Sequence, residues 1–327
     1  MINSVRNTVL SVLNKNNYGY VSPSDFNLFA KQAQLDLFET YFYQYNYQIN
    51  KENARQSGTG YADIRKGLEE LIEMFSVFNP LTLSAIPPTN TNVYSLPSQT
   101  TTGDDYYLLN KVLIYNNLIA SGTTTGVAVP ETDLIDANAT FITNGVKAGD
   151  VIGLVSDGIT QYVTVLSVAS ETLLSATESV VKTEPFNSNG IVYNIYTDSV
   201  EEAEKVTHSK ITMLNNSILT KPTLTFPAYS QQDNTMFAFP NTINNIGQVA
   251  SQYIRYPLDP KWTFITLVSG EPSFDQSQAD YQDFELPLDC EPDLISKILQ
   301  YAGMSIREAS AVQFAQGLEQ LDNQSEQ

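Results

Sequence analysis

Gly145-Val146-Lys147-Ala148-Gly149-Asp150-Val151-Ile152-Gly153-Leu154-Val155-Ser156-Asp157-Gly158-Ile159-Thr160-Gln161-Tyr162-Val163-Thr164-Val165-Leu166-Ser167-Val168 is the stretch whose reading decides the fold. Residues 151–155 and 159–168 are rich in β-branched and apolar side chains, as strands prefer. Between them stands Asp157-Gly158, a pair suited to the positive φ angles of a two-residue type I′ hairpin turn. Gly145 to Asp150 reads as the turn that opens the first strand. Ser170-Glu171 leads into another strand over 172–176. Three consecutive strands with short turns predict a small β-barrel, either SH3-like or Greek-key.

The flanks of this module differ from it. Residues 119–198 carry 2 basic and 9 acidic groups and residues 265–327 carry 2 and 12, whereas 1–80 carry 7 and 8 and 199–264 carry 5 and 5. The opening quarter is helical in pattern. Val5, Val9 and Val12 recur at helical spacing, and Ser22-Pro23-Ser24-Asp25 is a start signal with Ser22 as N-cap and Pro23 in the first turn. Phe26, Phe29, Ala33, Leu37, Tyr41 and Tyr45 then form one stripe in a helix predicted to run to about Arg55, broken by Ser57-Gly58-Thr59-Gly60. Ile64, Leu68, Leu71, Ile72 and Phe75 mark a third helix that stops before Pro80.

From Pro80 onward strands are expected at 93–96, 106–115, 223–226, 235–239 and 252–256, with Pro222, Pro227, Pro240 and Pro257 at strand ends or edges. Glu201-Glu202-Ala203-Glu204 reads as the start of a short helix. The C-terminus returns to a helix pair: one opened by Glu291-Pro292 and ended by Gly303, the next opened by Ser305 through Glu308. Residues 320–327 read as a disordered tail. The expected fold is α+β: an N-terminal helical unit, a β-rich core, an inserted barrel and a C-terminal helix pair. By domain, 1–118 and 199–327 form the core and 119–198 the acidic insert.

Composition narrows function. The 327 residues carry 36 acids, 17 lysines and arginines and 1 histidine, a net charge of −19. Charged residues are only 16%, so Asn, Gln, Ser and Thr are expected to make the exposed faces polar without charge. No apolar run reaches the length of a membrane helix, and the opening residues lack the apolar core of a secretory signal. A single cysteine, Cys290, excludes an internal disulfide and a cysteine zinc site. The net charge disfavours general binding to nucleic-acid phosphates.

No constellation singles out catalysis. His208 lies in no nucleophile context, and Cys290 sits among acids that should raise rather than lower its pKa. Neither Gly58-Thr59-Gly60 nor 145–149 is a phosphate loop. The acids at 280–285 and 289–293 lack calcium-loop spacing and read as solvated charge. No enzyme, cofactor or metal is expected. Six of the ten residues from Phe38 to Tyr47 are aromatic, which fits either a core helix packed on two sides or burial against another subunit.

Several stretches resemble the head-to-tail ring (connector) proteins of crAss-like tailed phages of the podovirus type. They are Asn17-Tyr18-Gly19-Tyr20-Val21-Ser22-Pro23-Ser24-Asp25-Phe26-Asn27; Leu219-Thr220-Lys221-Pro222-Thr223 with Phe226-Pro227-Ala228-Tyr229; and Phe239-Pro240. Further on stand Tyr253-Ile254-Arg255-Tyr256-Pro257-Leu258-Asp259-Pro260-Lys261-Trp262, Leu286-Pro287-Leu288-Asp289, and Ile298-Leu299-Gln300-Tyr301-Ala302-Gly303-Met304-Ser305-Ile306-Arg307-Glu308. Together they span about half the chain, and residues 119–198 lie outside them, as an insertion at a loop would.

The resemblance implies a virion structural protein forming a homo-oligomeric, dodecameric ring between portal and tail. Its partners would be the portal and neighbouring ring or tail proteins, with genomic DNA passing through unbound. It would be made in the host cytoplasm and located in the virion. Tyr41, Phe42, Tyr45, Tyr256 and Trp262 are the expected packing anchors of its interfaces. The alternative is a tail-fibre or adhesin-type binding protein whose β module recognises a host glycan or another virion protein.

Overall fold

A computed structural model describes residues 1–13, 21–55, 64–84, 92–126, 132–156, 159–177, 190–268 and 270–306. The chain divides into two compact units, Met1–Phe75 with Tyr256–Gln327, and Ser76–Arg255.

In the first unit, α1 (Ile2–Leu13) buries Ile2, Val5, Val9 and Leu13. The second helix, α2 (Pro23–Arg55), begins at the predicted signal: the Ser22 hydroxyl accepts the Asp25 N–H at 3.2 Å and donates to the Asp25 carboxylate at 2.7 Å. It keeps to the predicted end. The Ser57-to-Gly60 break expected after it lies outside the described residues. The third helix, α3 (Ile64–Glu73), ends where residues 74–75 turn.

The second unit begins with a strand where the sequence pattern continued the helix to Pro80. β1 (Ser76–Pro80) is an edge strand, the position in a sheet that tolerates proline. β2 (Thr82–Leu83), β3 (Val93–Ser95), β4 (Tyr106–Tyr115), β5 (Leu118–Thr123) and β6 (Asp133–Ile135) follow. After the single turn α4 (Phe141–Asn144) come β7 (Val151–Ser156), β8 (Ile159–Val168), β9 (Leu173–Ala176) and β10 (Val192–Tyr196). Next are β11 (Val200–Glu202), β12 (Glu204–Lys205), α5 (His208–Asn215), β13 (Ala228–Gln232), β14 (Thr235–Phe239) and β15 (Val249–Arg255). In the first unit again, β16 (Phe264–Thr266), β17 (Pro272–Phe274) and α6 (Glu291–Ile306) complete the chain.

Three local expectations are corrected. Glu201-Glu202-Ala203-Glu204 is extended rather than helical: Val200 pairs with Tyr115, and the Ala203 N–H bonds the Val112 carbonyl at 2.9 Å. Edge pairing and burial of Ala203 outweigh the favourable placement of acids at a helix start. Residues 223–226 are irregular, with a bend over 224–226, and not a strand. Helix α6 runs through Gly303 and Ser305 to Ile306, so neither residue ends or starts a helix there. Gly303 is buried like Ala302, consistent with a close-packed interior position. The remainder of the expected second C-terminal helix and the 320–327 tail lie outside the described residues.

Two sheets, ordered β1-β15-β4-β11 and β12-β13-β14-β3-β2, share one core made by Leu109, Val112, Ile114 and Tyr253 from the first and Tyr94, Tyr229, Met236 and Ala238 from the second. Residues 118–196 build a third sheet, ordered β5-β10-β7-β8-β9-β6. Three strands joined by short connections, β7, β8 and β9, are flanked by a fourth, β10, that returns beside the first. The order β10-β7-β8-β9 is that of a Greek key. Ser156 pairs with Ile159, leaving a two-residue loop at Asp157-Gly158, itself outside the described residues. The edge strands meet where the Thr125 N–H bonds the Ile135 carbonyl at 2.9 Å and the Ala137 N–H bonds Thr125 Oγ1 at 2.7 Å. Phe141, Ile152, Leu154, Val163, Leu174, Tyr193 and Ile195 fill the interior.

The incoming and outgoing strands of this sheet run side by side: Leu118 pairs with Tyr196, and Tyr115 with Val200. Residues 119–198 therefore belong to one compact unit with 76–118 and 199–255, and the N- and C-terminal helices to the other, although composition sets 119–198 apart. The tie is a turn at 244–248. Tyr162 Oη donates to the Gly247 carbonyl at 2.7 Å, Tyr196 Oη and Asn194 Nδ2 donate to the Ile246 carbonyl at 2.7 and 3.0 Å, and Tyr94 Oη donates to the Asn245 carbonyl at 3.1 Å. Such reach requires close backbones. A Cβ on Gly153 would lie 2.7 Å from the Gly247 Cα, and Gly247 itself has φ of +68°.

Two outcomes follow from this junction. Gly153→Ala should destabilise the protein by about 2–3 kcal/mol, as overpacking does, and Gly247→Ala by more because of its left-handed backbone. Gly67→Ala, in the middle of α3 with nothing within 4 Å of its new methyl, should be neutral or stabilising by up to about 1 kcal/mol. Chemical denaturation of the three variants decides this. The second outcome concerns alkali. Burial raises the pKa of Tyr94, Tyr162 and Tyr196 well above the ordinary phenol, and that of Tyr115 to about 12, with the Asp198 charge adding to it. Groups that ionise less readily folded than unfolded leave stability intact below about pH 10 and erode it as the pH climbs toward and past the folded values. Tyrosinate absorbance from these residues should therefore rise only together with loss of the β circular-dichroism signal. Graded ionisation near the normal phenol pKa with the fold intact would contradict the arrangement.

Candidate assembly surface

Of the five expected interface anchors, Trp262 is an internal one. It is 2% exposed and held on every side within the first unit. The Arg6 guanidinium lies 3.8 Å from the ring centroid, a cation–π contact. Phe264 and Phe274 stack on it at 5.6 and 5.9 Å, and its indole N–H donates to Asn3 Oδ1 at 3.1 Å. The Asn27 side chain clamps its backbone, accepting the Trp262 N–H at 2.8 Å and donating to its carbonyl at 3.2 Å. No face of the ring is left for another subunit.

The other four are half-buried or exposed at the margin. Phe42 packs edge-on against buried Phe38 at 4.9 Å, and Tyr256 lies 6.0 Å from the same ring. Tyr41 Oη donates to Cys290 Sγ at 2.7 Å, joining α2 to the turn before α6. Tyr45 is half-buried, and the aromatic residues that α2 presents outward are Tyr43 and Tyr47. Burial is the main cause raising the Cys290 thiol pKa, with Asp293 and Asp289 adding to it and Tyr41 opposing. His208 is exposed in the first turn of α5.

The acids at 280–285 are structural rather than simply solvated. Asp283 accepts the Met1 ammonium at 2.8 Å and the Ile2 N–H at 2.7 Å, at the positive end of α1. Burial opposes its charge, yet these donors and the Phe284 N–H hold its carboxyl below the usual range. Asp280 pairs with Lys261, and Glu285 accepts the Leu258 N–H at 2.7 Å.

What the structure exposes instead is a loop in the second unit. Thr207 caps α5 through the Lys210 N–H, and residues 216–227 then cross to β13. Buried Pro222 and Pro227 pin this segment. It closes on itself through Lys221 N–H to the Ser217 carbonyl at 3.1 Å, Thr223 N–H to the Phe226 carbonyl at 3.2 Å, and Phe226 N–H to Thr223 Oγ1 at 3.2 Å. On this ordered frame Ile218 is 98% exposed, Leu219 96% and Phe226 79%, with Met213 exposed nearby on α5. Scattered apolar residues on a surface need no explanation, whereas a group of them on one short segment is a candidate for a surface covered by a partner. Covering each would contribute about 1.5–3 kcal/mol.

A second exposed apolar group stands on the β16–β17 hairpin of the first unit: Phe264, Ile265, Leu267 and fully exposed Val268. The hairpin base is held by Thr263 and Asp275, whose backbone groups and Thr263 hydroxyl exchange hydrogen bonds. Its tip is held by the Gly270 N–H to the Leu267 carbonyl at 2.8 Å. Sequence reading missed both segments. The available signal was the apolar pair Ile218-Leu219 set between Asn215-Asn216-Ser217 and Lys221-Pro222, where nothing local could bury it.

No protein-family profile matches the chain, and neither does any curated protein sequence. Among the described residues no helix is long and apolar enough to cross a membrane.

The two kinds of residue should separate in a stability assay. Trp262→Ala should cost about 3–5 kcal/mol, as loss of a buried aromatic does. Leu219→Ser should change the folding free energy of the isolated protomer by less than about 0.5 kcal/mol. Equal effects would show that the loop is part of the core.

Proposed function

We propose that the protein is a virion structural component, a ring-forming connector between the portal and tail of a tailed phage. The observation that carries this reading is the outward-facing apolar loop at 216–227. It coincides with one of the stretches that resemble connector proteins, Leu219 to Thr223 and Phe226 to Tyr229. A protomer that spends hydrogen bonds and two buried prolines on presenting Ile218, Leu219 and Phe226 to solvent is built to have them covered by another protein.

The charge agrees with this role. At −19 per protomer, a channel formed by many copies would repel DNA phosphates and let the genome slide past, where a basic lining would retain it. A heterologous contact repeated around an axis closes a ring from one kind of chain. In this reading the Greek-key sheet is a docking module for a neighbouring ring, a tail component or the capsid. The work of the protein is assembly, not turnover.

Native mass and negative-stain microscopy of the purified protein, alone and mixed with the portal protein of the same genome, test it. Rings, or portal-bound collars, are expected. Monomers that ignore the portal under both conditions would overturn the reading.

A further inference from the structure

We infer that the apolar loop of one copy docks on the β16–β17 hairpin of the next copy, so that each chain presents a tip and receives one. The inference rests on the assembly reading above and names the two surfaces that meet. Both are apolar and exposed: Ile218, Leu219 and Phe226 on the loop, and Ile265, Leu267 and Val268 on the hairpin.

Their surroundings carry opposite charge. Residues 205–232 contain three lysines, Lys205, Lys210 and Lys221, and no acid. Lys210 pairs with Glu204 at 3.0 Å, so the stretch 204–232 is still net positive. Residues 261–293 contain eight acids and one lysine, Lys261; with Asp280 paired to Lys261 and Asp283 to the Met1 ammonium, six acids are left and the stretch is net negative. In a chain of net charge −19, a positive apolar loop and a negative apolar hairpin complement each other. Two loops, or two hairpins, would bring like charges together, which an interface avoids. The contact is therefore heterologous, the kind that propagates from copy to copy instead of ending at a dimer.

Disulfide trapping tests this in the full chain. The variant carrying both Leu219→Cys and Val268→Cys, under mild oxidation, should give covalent dimers and a ladder of larger species, while each single variant gives none. Both positions are exposed, and the native Cys290 is buried. A second test uses charge. Lys221→Glu or Glu271→Lys alone should weaken self-association about fivefold, the scale of a rim ion pair. The two together in one chain should restore it.

Rings that form without a 219–268 cross-link would overturn this inference and leave the assembly reading standing. A cross-link only within single chains, or between two copies of position 219, would overturn it as well. Absence of any assembly, with or without portal, would overturn both.

Discussion

Four side chains, Tyr94, Tyr162, Tyr196 and Asn194, converge on three consecutive carbonyls of one turn, and the organisation of the second unit depends on that convergence. Tyr162 and Tyr196 come from the Greek-key sheet, Tyr94 from the sandwich, and the turn at 244–248 leads into β15, in the middle of a sandwich sheet. Gln248 organises the same turn, its Oε1 accepting the N–H groups of Asn244 and Asn245 at 3.1 Å each. One such bond contributes about 1 kcal/mol, but a carbonyl left buried without a donor costs about 1–3 kcal/mol. The junction is therefore all-or-none. It forms only if Gly153 and Gly247 let the two backbones touch, and once formed it makes a fixed attachment of what would otherwise be a pair of linkers.

The first unit solves a similar problem with amides. The segment from Tyr256 to Cys290 has little regular structure, so its backbone groups need partners from elsewhere. Asn27 clamps Trp262. Gln34, 1% exposed, donates to the Leu258 carbonyl at 2.8 Å and accepts the Glu285 N–H at 3.0 Å. Both amides come from the buried side of α2. An amide serves better here than a charge: it offers a donor and an acceptor together, and its burial without ionisation avoids the desolvation cost of an ion. The low charge fraction of the chain has part of its explanation in such positions.

That use of Asn and Gln marks the boundary of what the sequence made legible. Elements with strong local signals are readable: the Ser22-Pro23 start of α2, the β-branched, apolar runs of β7 and β8 on either side of Asp157-Gly158, and the opening of α6 at Glu291. Composition suggests that amides cover the exterior, yet Asn27, Gln34 and Gln248 hold irregular backbone through their side chains. Glu201 to Glu204 failed for a related reason. Its acids favour a helix start locally, but β4 offers Val200 and Ala203 partners more than eighty residues away, and no local pattern shows them. The aromatic density of α2 leaves packing and subunit burial open; Phe42 packs on Phe38 while Tyr43 and Tyr47 face outward, and Trp262, expected at an interface, is surrounded by its own unit. The exposed loop was missed because a short Thr- and Pro-containing stretch with Leu224 and Phe226 looks the same whether it pairs with a strand or faces water.

A large negative charge also constrains how such a chain can associate. Every added copy brings another 19 negative charges, and their repulsion grows with the size of the assembly. Spread evenly, that charge would keep protomers apart despite their apolar tips, and this protects an exposed Ile218 and Leu219 from indiscriminate aggregation. Association then has to occur where the sign is locally reversed. In the assembly proposed above, the lysines of residues 205–232 would supply such a reversal beside the apolar tip, while the net negative charge of the chain discourages other contacts. In that assembly apolar burial would supply the strength of the contact, and the charge distribution would decide where it forms.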